Sequence, residues 1–192
     1  MIKRLLYLLG SFAILSPLAL AQTSTWVPDK AHSEVNFSIL HMSLAKVRGR
    51  FGNIGGSIVL DESDITKSTV HVTIDVTTVD TGVAARDNDL KSAGFFDVSH
   101  FPTATFVSTS VAKTGNGLTV NGNLTVHGVT KPVTLDVEGP TGPINGMDRK
   151  PHCAFEATTT IKRTDFGIAP KYPATIVGDD VALTIDLDVA KK

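Results

Sequence analysis

Residues 181–189 read VALTIDLDV: Val181, Leu183, Ile185, Leu187 and Val189 alternate with Ala182, Thr184, Asp186 and Asp188. A period of two puts all five aliphatic side chains on one face of an extended strand. One apolar face and one wet face is the signature of an antiparallel sheet. The same reading holds upstream. Val70, Val72, Ile74 and Val76 oppose Thr69, His71, Thr73, Asp75 and Thr77, and Val133, Leu135 and Val137 oppose Thr134, Asp136 and Glu138.

Working outward, eight candidate strands fall near 33–40, 46–61, 68–79, 104–112, 117–126, 132–139, 153–162 and 180–190. The second is long and contains Gly55-Gly56, where a bulge would bend it. Gly115-Asn116-Gly117 reads as a tight hairpin and Gly128–Pro132 as a slightly longer one. Gly139–Pro151 and Thr164–Gly178 read as long surface loops. Helix is scarce: Asp87 is placed to cap a short helix through Ala93, with Gly94 as its stop signal. A second turn is expected near Met42–Ala45.

Eight amphipathic antiparallel strands close into a barrel or stack as a sandwich. Several runs reach ten residues or more, above the usual five or six, and this length favours the barrel. A ten-residue strand spans roughly 33 Å, and tilted about 40° it encloses an interior roughly 25 Å tall. Alternation leaves open whether side chains fill that interior or a small ligand does.

The chain of 192 residues carries 18 basic and 19 acidic side chains, a formal charge of −1. Lys3 and Arg4, the apolar run Leu5–Leu15 and the small residues of Ala19-Leu20-Ala21 make a cleavable export signal. Its apolar run is shorter than the roughly 20 residues of a spanning helix. Cleavage after Ala21 leaves 22–192 as one domain with no transmembrane anchor, more negative by the two charges of Lys3 and Arg4. A weakly acidic body has no net field to draw in DNA or an anionic membrane surface. Cys153 is alone, so no intramolecular disulfide exists, and its strand context marks it as a small core residue.

Between two alternating stretches lies Arg86–Phe106, RDNDLKSAGFFDVSHFPTATF, which breaks the period. Hairpins use two to five residues, so a crossing this long and aromatic reads as a lid or mouth. Phe95 and Phe96 suit core or pocket equally, as do Phe37, Phe51, Phe106, Phe155 and Phe166. Trp26 reads as a plug of the closed barrel end. Arg86 has two readings: forked hydrogen bonds to a ligand phosphate near the helix N-terminus, or a salt bridge to Asp89 or Asp97.

Six histidines occur without HxH or HExxH spacing, and His152 and Cys153, adjacent on a strand, face opposite ways. His32 and His41 read as loop-holding residues rather than ligands. No Gly-x-Ser-x-Gly elbow or Gly-rich phosphate loop is present. Asp87, Asp89 and Asp97 are candidate acids or bases, with capping and surface charge as the competing and favoured reading.

Several segments, in this order and spacing, resemble the YceI-like family. They are Asp29-x-Ala31-His32-Ser33, Val47-Arg48-Gly49-x-Phe51, Arg86-Asp87 with Phe95-Phe96-Asp97, Gly122-x-Leu124-Thr125-Val126-His127-Gly128-Val129-Thr130-Lys131-Pro132, and Arg163-x-Asp165-Phe166-Gly167-Ile168. The resemblance runs through almost the whole chain after residue 21. It implies an all-β, eight-stranded antiparallel lipocalin-like barrel with one or two short helices at the mouth. It further implies a periplasmic carrier or sequestering protein for a polyisoprenoid or quinone-like lipid, without another cofactor or a metal. Some relatives associate with membrane cytochromes of the b561 type; the oligomeric state, a dimer included, stays open. The contacts implied are Phe37, Ile39, Phe51, Arg86, Leu90, Phe95, Phe96, Phe106, Phe155 and Phe166. The alternative functions are an enzyme acting on an isoprenoid lipid and, third, a metal- or haem-binding barrel.

Overall fold

A computed structural model describes residues 22–192; the expected leader and its cleavage site lie outside them. The strands are β1 (Thr23–Pro28), β2 (Glu34–His41), β3 (Ala45–Phe51), β4 (Gly55–Asp61), β5 (Thr69–Asp75), β6 (Thr103–Thr114), β7 (Gly117–Val126), β8 (Val129–Asn145), β9 (Pro151–Lys162) and β10 (Val177–Lys191). One α-helix, α1 (Ala84–Lys91), lies between β5 and β6.

Eight of these strands close a ring in the order β1-β4-β5-β6-β7-β8-β9-β10 and back to β1, antiparallel throughout. The closure depends on the length of β10, whose free edge serves two partners. Near its end Val27 pairs with Ala190; along its first part Phe37 pairs with Leu183 and Val35 with Ile185. At the α1 end β2 and β3 therefore take the places that β1 and β4 occupy at the other end. A single bridge between Arg50 and Asp80 joins β3 onward to the segment after β5.

The single strand expected over 46–61 is thus two, interrupted at 52–54. Gly56 then has φ +102°, with its missing Cβ aimed at the His71 carbonyl, so the chain turns there at a point only glycine tolerates. β1 escaped the sequence reading because its inward positions are Ser24, Trp26 and Pro28, which hide the period. The loop expected over Gly139–Pro151 is instead mostly strand. β8 runs on to Asn145, with register shifts between Glu138 and Thr141 and between Thr141 and Ile144. Each shift brackets a Gly-Pro pair, where proline removes a ladder donor and a bulge absorbs the loss.

The helix begins four residues before the expected start, with its cap at Val83 instead of Asp87. Val83 holds the cap position without a side-chain bond, and Asp87 sits in the first turn. Its carboxylate accepts from the backbone N–H and hydroxyl of Thr81. The Met42–Ala45 turn is a hairpin turn, not a helix. Among the described residues no helix is long and apolar enough to cross a membrane.

At the end opposite α1, Trp26 packs with Ile58, Leu60, Cys153 and Val189, and its indole N–H donates to Ser24 Oγ at 2.8 Å. This buried cluster occupies the end where β1 meets β10, and Trp26 lines none of the interior space described below.

Candidate functional site

The inward faces do not fill the barrel. Leu183, Ile185 and Leu187 of β10, Leu135 of β8 and Ile74 of β5 all point inward yet keep partial exposure. They border empty space. That space forms two adjoining chambers, a lower one of about 120 Å³ towards Trp26 and an upper one of about 150 Å³ under α1. Both are bordered by Val35, Ile74, Leu124 and Leu183. Each volume is about ten times what one water needs, roughly 10–15 Å³, and a space lined by aliphatic and aromatic carbon holds no water stably.

The polar groups on the walls are already engaged. In the lower chamber Ser68 Oγ accepts from the Asp61 N–H at 3.0 Å, and Thr159 Oγ1 donates to the Thr134 carbonyl at 2.9 Å. In the upper chamber the one charged lining residue is Arg163, 3% exposed. Its Nε donates to Gly178 O at 2.9 Å, Nη1 to Ile168 O and Ala169 O at 3.0 and 2.7 Å, and Nη2 to Tyr172 O and Val177 O at 2.6 and 2.9 Å. All five guanidinium N–H groups are thus spent on carbonyls. The 168–178 segment, which has almost no secondary structure of its own, is wrapped around this one side chain. Sequence reasoning quoted Arg163 only as part of a motif; burial, the property that gives it this role, has no signature in a lone arginine.

The aromatic residues singled out from the sequence gather on these walls. Phe37, Ile39, Phe51, Leu90, Phe95 and Phe96 line the upper chamber, and Phe106 and Phe155 the lower. Phe37 and Phe51 lie 5.4 Å apart between ring centroids, and Phe96 meets Phe51 edge-on at the same distance. Gly49, paired with Phe37 across β2 and β3, makes room for that ring: a Cβ there would stand 2.5 Å from Phe37 Cζ. Phe95 and Phe96 follow α1 in a tight wrap, with Phe96 N–H donating to Leu90 O at 3.0 Å. The helix and this wrap cap the upper chamber.

Two expected contacts lie elsewhere. Phe166 is 2% exposed but borders neither chamber, and its carbonyl meets His127 Nδ1 at 3.2 Å. Arg86 also borders neither, and it pairs with neither Asp89 nor Asp97. Its Nε donates to Thr81 Oγ1 at 2.8 Å and its Nη2 to Thr81 O at 2.9 Å. With Asp87 gripping the same threonine, Arg86 fastens α1 to the segment after β5, and both expected roles are replaced by this one. Asp97 accepts from Ser99 and His100. Like Asp87 and Asp89, it lies off the chamber walls.

The aliphatic lining residues not singled out, such as Ile74, Leu135, Leu183 and Ile185, carried a signal in the two-residue alternation. Preference for aromatic residues passed over them.

His152 is clamped between two carboxylates. His152 Nδ1 donates to Asp188 Oδ1 at 2.6 Å and Nε2 to Asp148 Oδ1 at 3.1 Å, with Asp29 close by. Two carboxylates on opposite ring nitrogens favour the protonated imidazole, and the Asp188 hydrogen bond is the chief cause of its raised pKa. A cation would have to displace that proton. Cys153, 5% exposed in the Trp26 cluster, faces away from His152, and burial pushes its thiol pKa up.

A closed eight-stranded antiparallel barrel with an apolar interior and a helical cap defines a lipocalin-like barrel. The YceI-like domain model matches residues 26–189. The chain belongs to the YceI-like family. It is 38% identical over 170 residues to a UPF0312 protein of Vibrio parahaemolyticus, covering 86% of this chain and 89% of the relative. Protein YceI of Salmonella newport is 43% identical over 141 residues, 71% of each chain. Among solved structures, Burkholderia cenocepacia BcnA superposes with a TM-score of 0.74 at 26% identity, covering 84% of this chain and 98% of its own. A polyisoprenoid binding domain from Saccharophagus degradans shares the fold with a TM-score of 0.63 at 16% identity, over 89% of this chain and all of that one.

Proposed function

We propose that this protein is a periplasmic carrier or sequestering protein that holds a long apolar lipid, a polyisoprenoid or quinone-like molecule, along the barrel axis. The observation that carries the reading is the chemistry of the cavity. Two adjoining chambers present aliphatic and aromatic carbon, and their few polar groups are already hydrogen-bonded to the protein. Such walls gain about 0.8 kcal/mol for each methylene they bury, before ordering costs. They offer a charged or strongly hydrated molecule nothing. The shared fold with a domain described as polyisoprenoid binding supports the class of cargo. Carriage rather than catalysis is favoured because Asp87, Asp89 and Asp97, the candidate acids and bases, stand off the chamber walls.

The decisive experiment is mass spectrometry of an organic extract from protein purified without detergent. A long-chain lipid at up to one per barrel is expected, and removing it should lower the melting temperature, since the ligand binds only the folded state. A lipid-free protein whose melting temperature ignores added prenyl alcohol would refute the reading; conversion of the lipid would replace carriage with catalysis. For location, the intact mass of exported protein should correspond to a chain starting at Gln22.

A further inference from the structure

Nine large apolar side chains stand exposed on the described residues, and five of them gather at the mouth. Leu40, Met42 and Leu44, 42%, 52% and 84% exposed, lie on the β2–β3 hairpin; Tyr172 and Ile176, 43% and 39%, lie on the segment held by Arg163. The two tips are bound side by side. The Met42 N–H donates to Ile176 O at 2.8 Å, and Ser43 Oγ donates to Thr175 O at 3.3 Å. Tyr172 in turn stacks on Phe95, which lines the upper chamber. The exposed ridge and the cavity are therefore neighbours through one aromatic pair.

The hairpin tip is built against local preference. The Leu44 N–H closes the turn on His41 O at 3.0 Å, with φ +53° at Met42 and +55° at Ser43. Two successive positive φ values make a type I′ turn, for which Asn-Gly is the easy choice. This chain places a strained methionine there instead, pointing an apolar side chain at solvent. Strain held at an exposed position is a pointer to use.

The charges around the ridge are cationic and free. Lys46 pairs directly across from Leu40, Arg48 lies two residues further along β3, and Lys171 precedes Tyr172. Among the described residues none of the three forms an ion pair. Four acids on the neighbouring strands and connections are already paired: Glu34 and Asp80 with Arg50, Asp179 and Asp180 with Lys162. The net charge, −1 for the whole sequence and more negative without Lys3 and Arg4, supplies no long-range pull towards an anionic surface, so any attraction is local, within a Debye length of about 8 Å at physiological salt.

We propose that this ridge docks the barrel mouth on a lipid bilayer bearing anionic headgroups, so that apolar cargo passes between membrane and cavity without crossing water. Apolar side chains on two convex tips, with a tyrosine and lysines beside them, match the headgroup boundary of a bilayer. The purpose of the docking rests on the carrier reading; its test does not.

The test is co-sedimentation of the protein with vesicles of phosphatidylcholine, with and without phosphatidylglycerol, at two salt concentrations. The wild type is expected to sediment with the mixed vesicles and less so at high salt. Met42→Asn with Leu44→Ser keeps a residue suited to the turn, so the melting temperature should hold while vesicle binding falls at least tenfold. Lys46→Gln with Lys171→Gln should lose about fivefold for each lysine, on the mixed vesicles only. Ile144→Ser with Met147→Ser, on the β8–β9 tip, should change nothing. Wild-type protein that ignores both vesicles, or a hairpin variant that binds like wild type, would overturn docking and leave the ridge to a protein partner. Uptake of a fluorescent prenyl alcohol from detergent micelles separates the two readings. Uptake without sedimentation defeats docking alone, and sedimentation without uptake defeats carriage alone.

Discussion

The rings of Phe95 and Tyr172 stack with centroids 5.5 Å apart and planes 27° from parallel. Phe95 belongs to the cap that follows α1, and Tyr172 to the segment organised by Arg163, so this contact joins the two sides of the upper chamber. Such a pair contributes about 0.5–1.5 kcal/mol beyond its buried area. Tyr172→Ala should therefore speed release of bound lipid roughly two- to tenfold while moving the melting temperature little, because Tyr172 is half exposed. Stopped-flow transfer of a fluorescent prenyl lipid to acceptor vesicles reads the rate, and an unchanged rate would show that this contact does not retain the lipid.

Arg163 should be the least replaceable side chain at the mouth. Arg163→Met preserves bulk but strands five carbonyls that now share its N–H groups, a loss of about 2–4 kcal/mol. Arg163→Lys should recover little of it, because an ammonium cannot reproduce the planar fork. Hydrogen exchange should rise specifically across 167–178. A urea midpoint within error of wild type for Arg163→Met would contradict the assignment.

The His152 clamp makes a pH prediction whose sign is fixed. Its folded pKa lies above the ordinary 6.5, chiefly through Asp188. Its stabilising contribution is thus complete below pH 6.5 and fades as pH rises through the higher folded value. The stability gap between wild type and His152→Gln should be widest near pH 6 and narrow on the alkaline side. Proton NMR of the imidazole gives the titration directly; a midpoint at or below 6.5 would reject the doubly bonded imidazolium.

Cys153 should react slowly. Burial raises its thiol pKa and the Trp26 cluster covers it, so a neutral thiol reagent should label the native chain only as fast as the barrel opens. Full labelling should follow in urea, and the chain should remain a single species on a non-reducing gel. Rapid labelling of the native state would place the sulfur at the surface.

By itself the sequence determined the wall. Alternation in Val70–Val76, Val133–Val137 and Val181–Val189 assigned each side chain to a face, because a strand has only two faces and water tolerates few aliphatic residues on one. It likewise marked Phe37, Phe51, Phe95 and Phe96 as apolar residues of a core or pocket, though not which. What only the tertiary structure decided are the quantities that depend on distance across the ring. Whether Leu183 and Ile185 meet side chains or empty space is set by barrel circumference, which no local pattern encodes. Arg86 was expected at a headgroup or an aspartate and instead binds Thr81; Arg163 was passed over and holds the mouth. An arginine's partners are chosen by which carbonyls the fold brings to it from residues up to fifteen positions away, and a linear pattern carries no record of that approach.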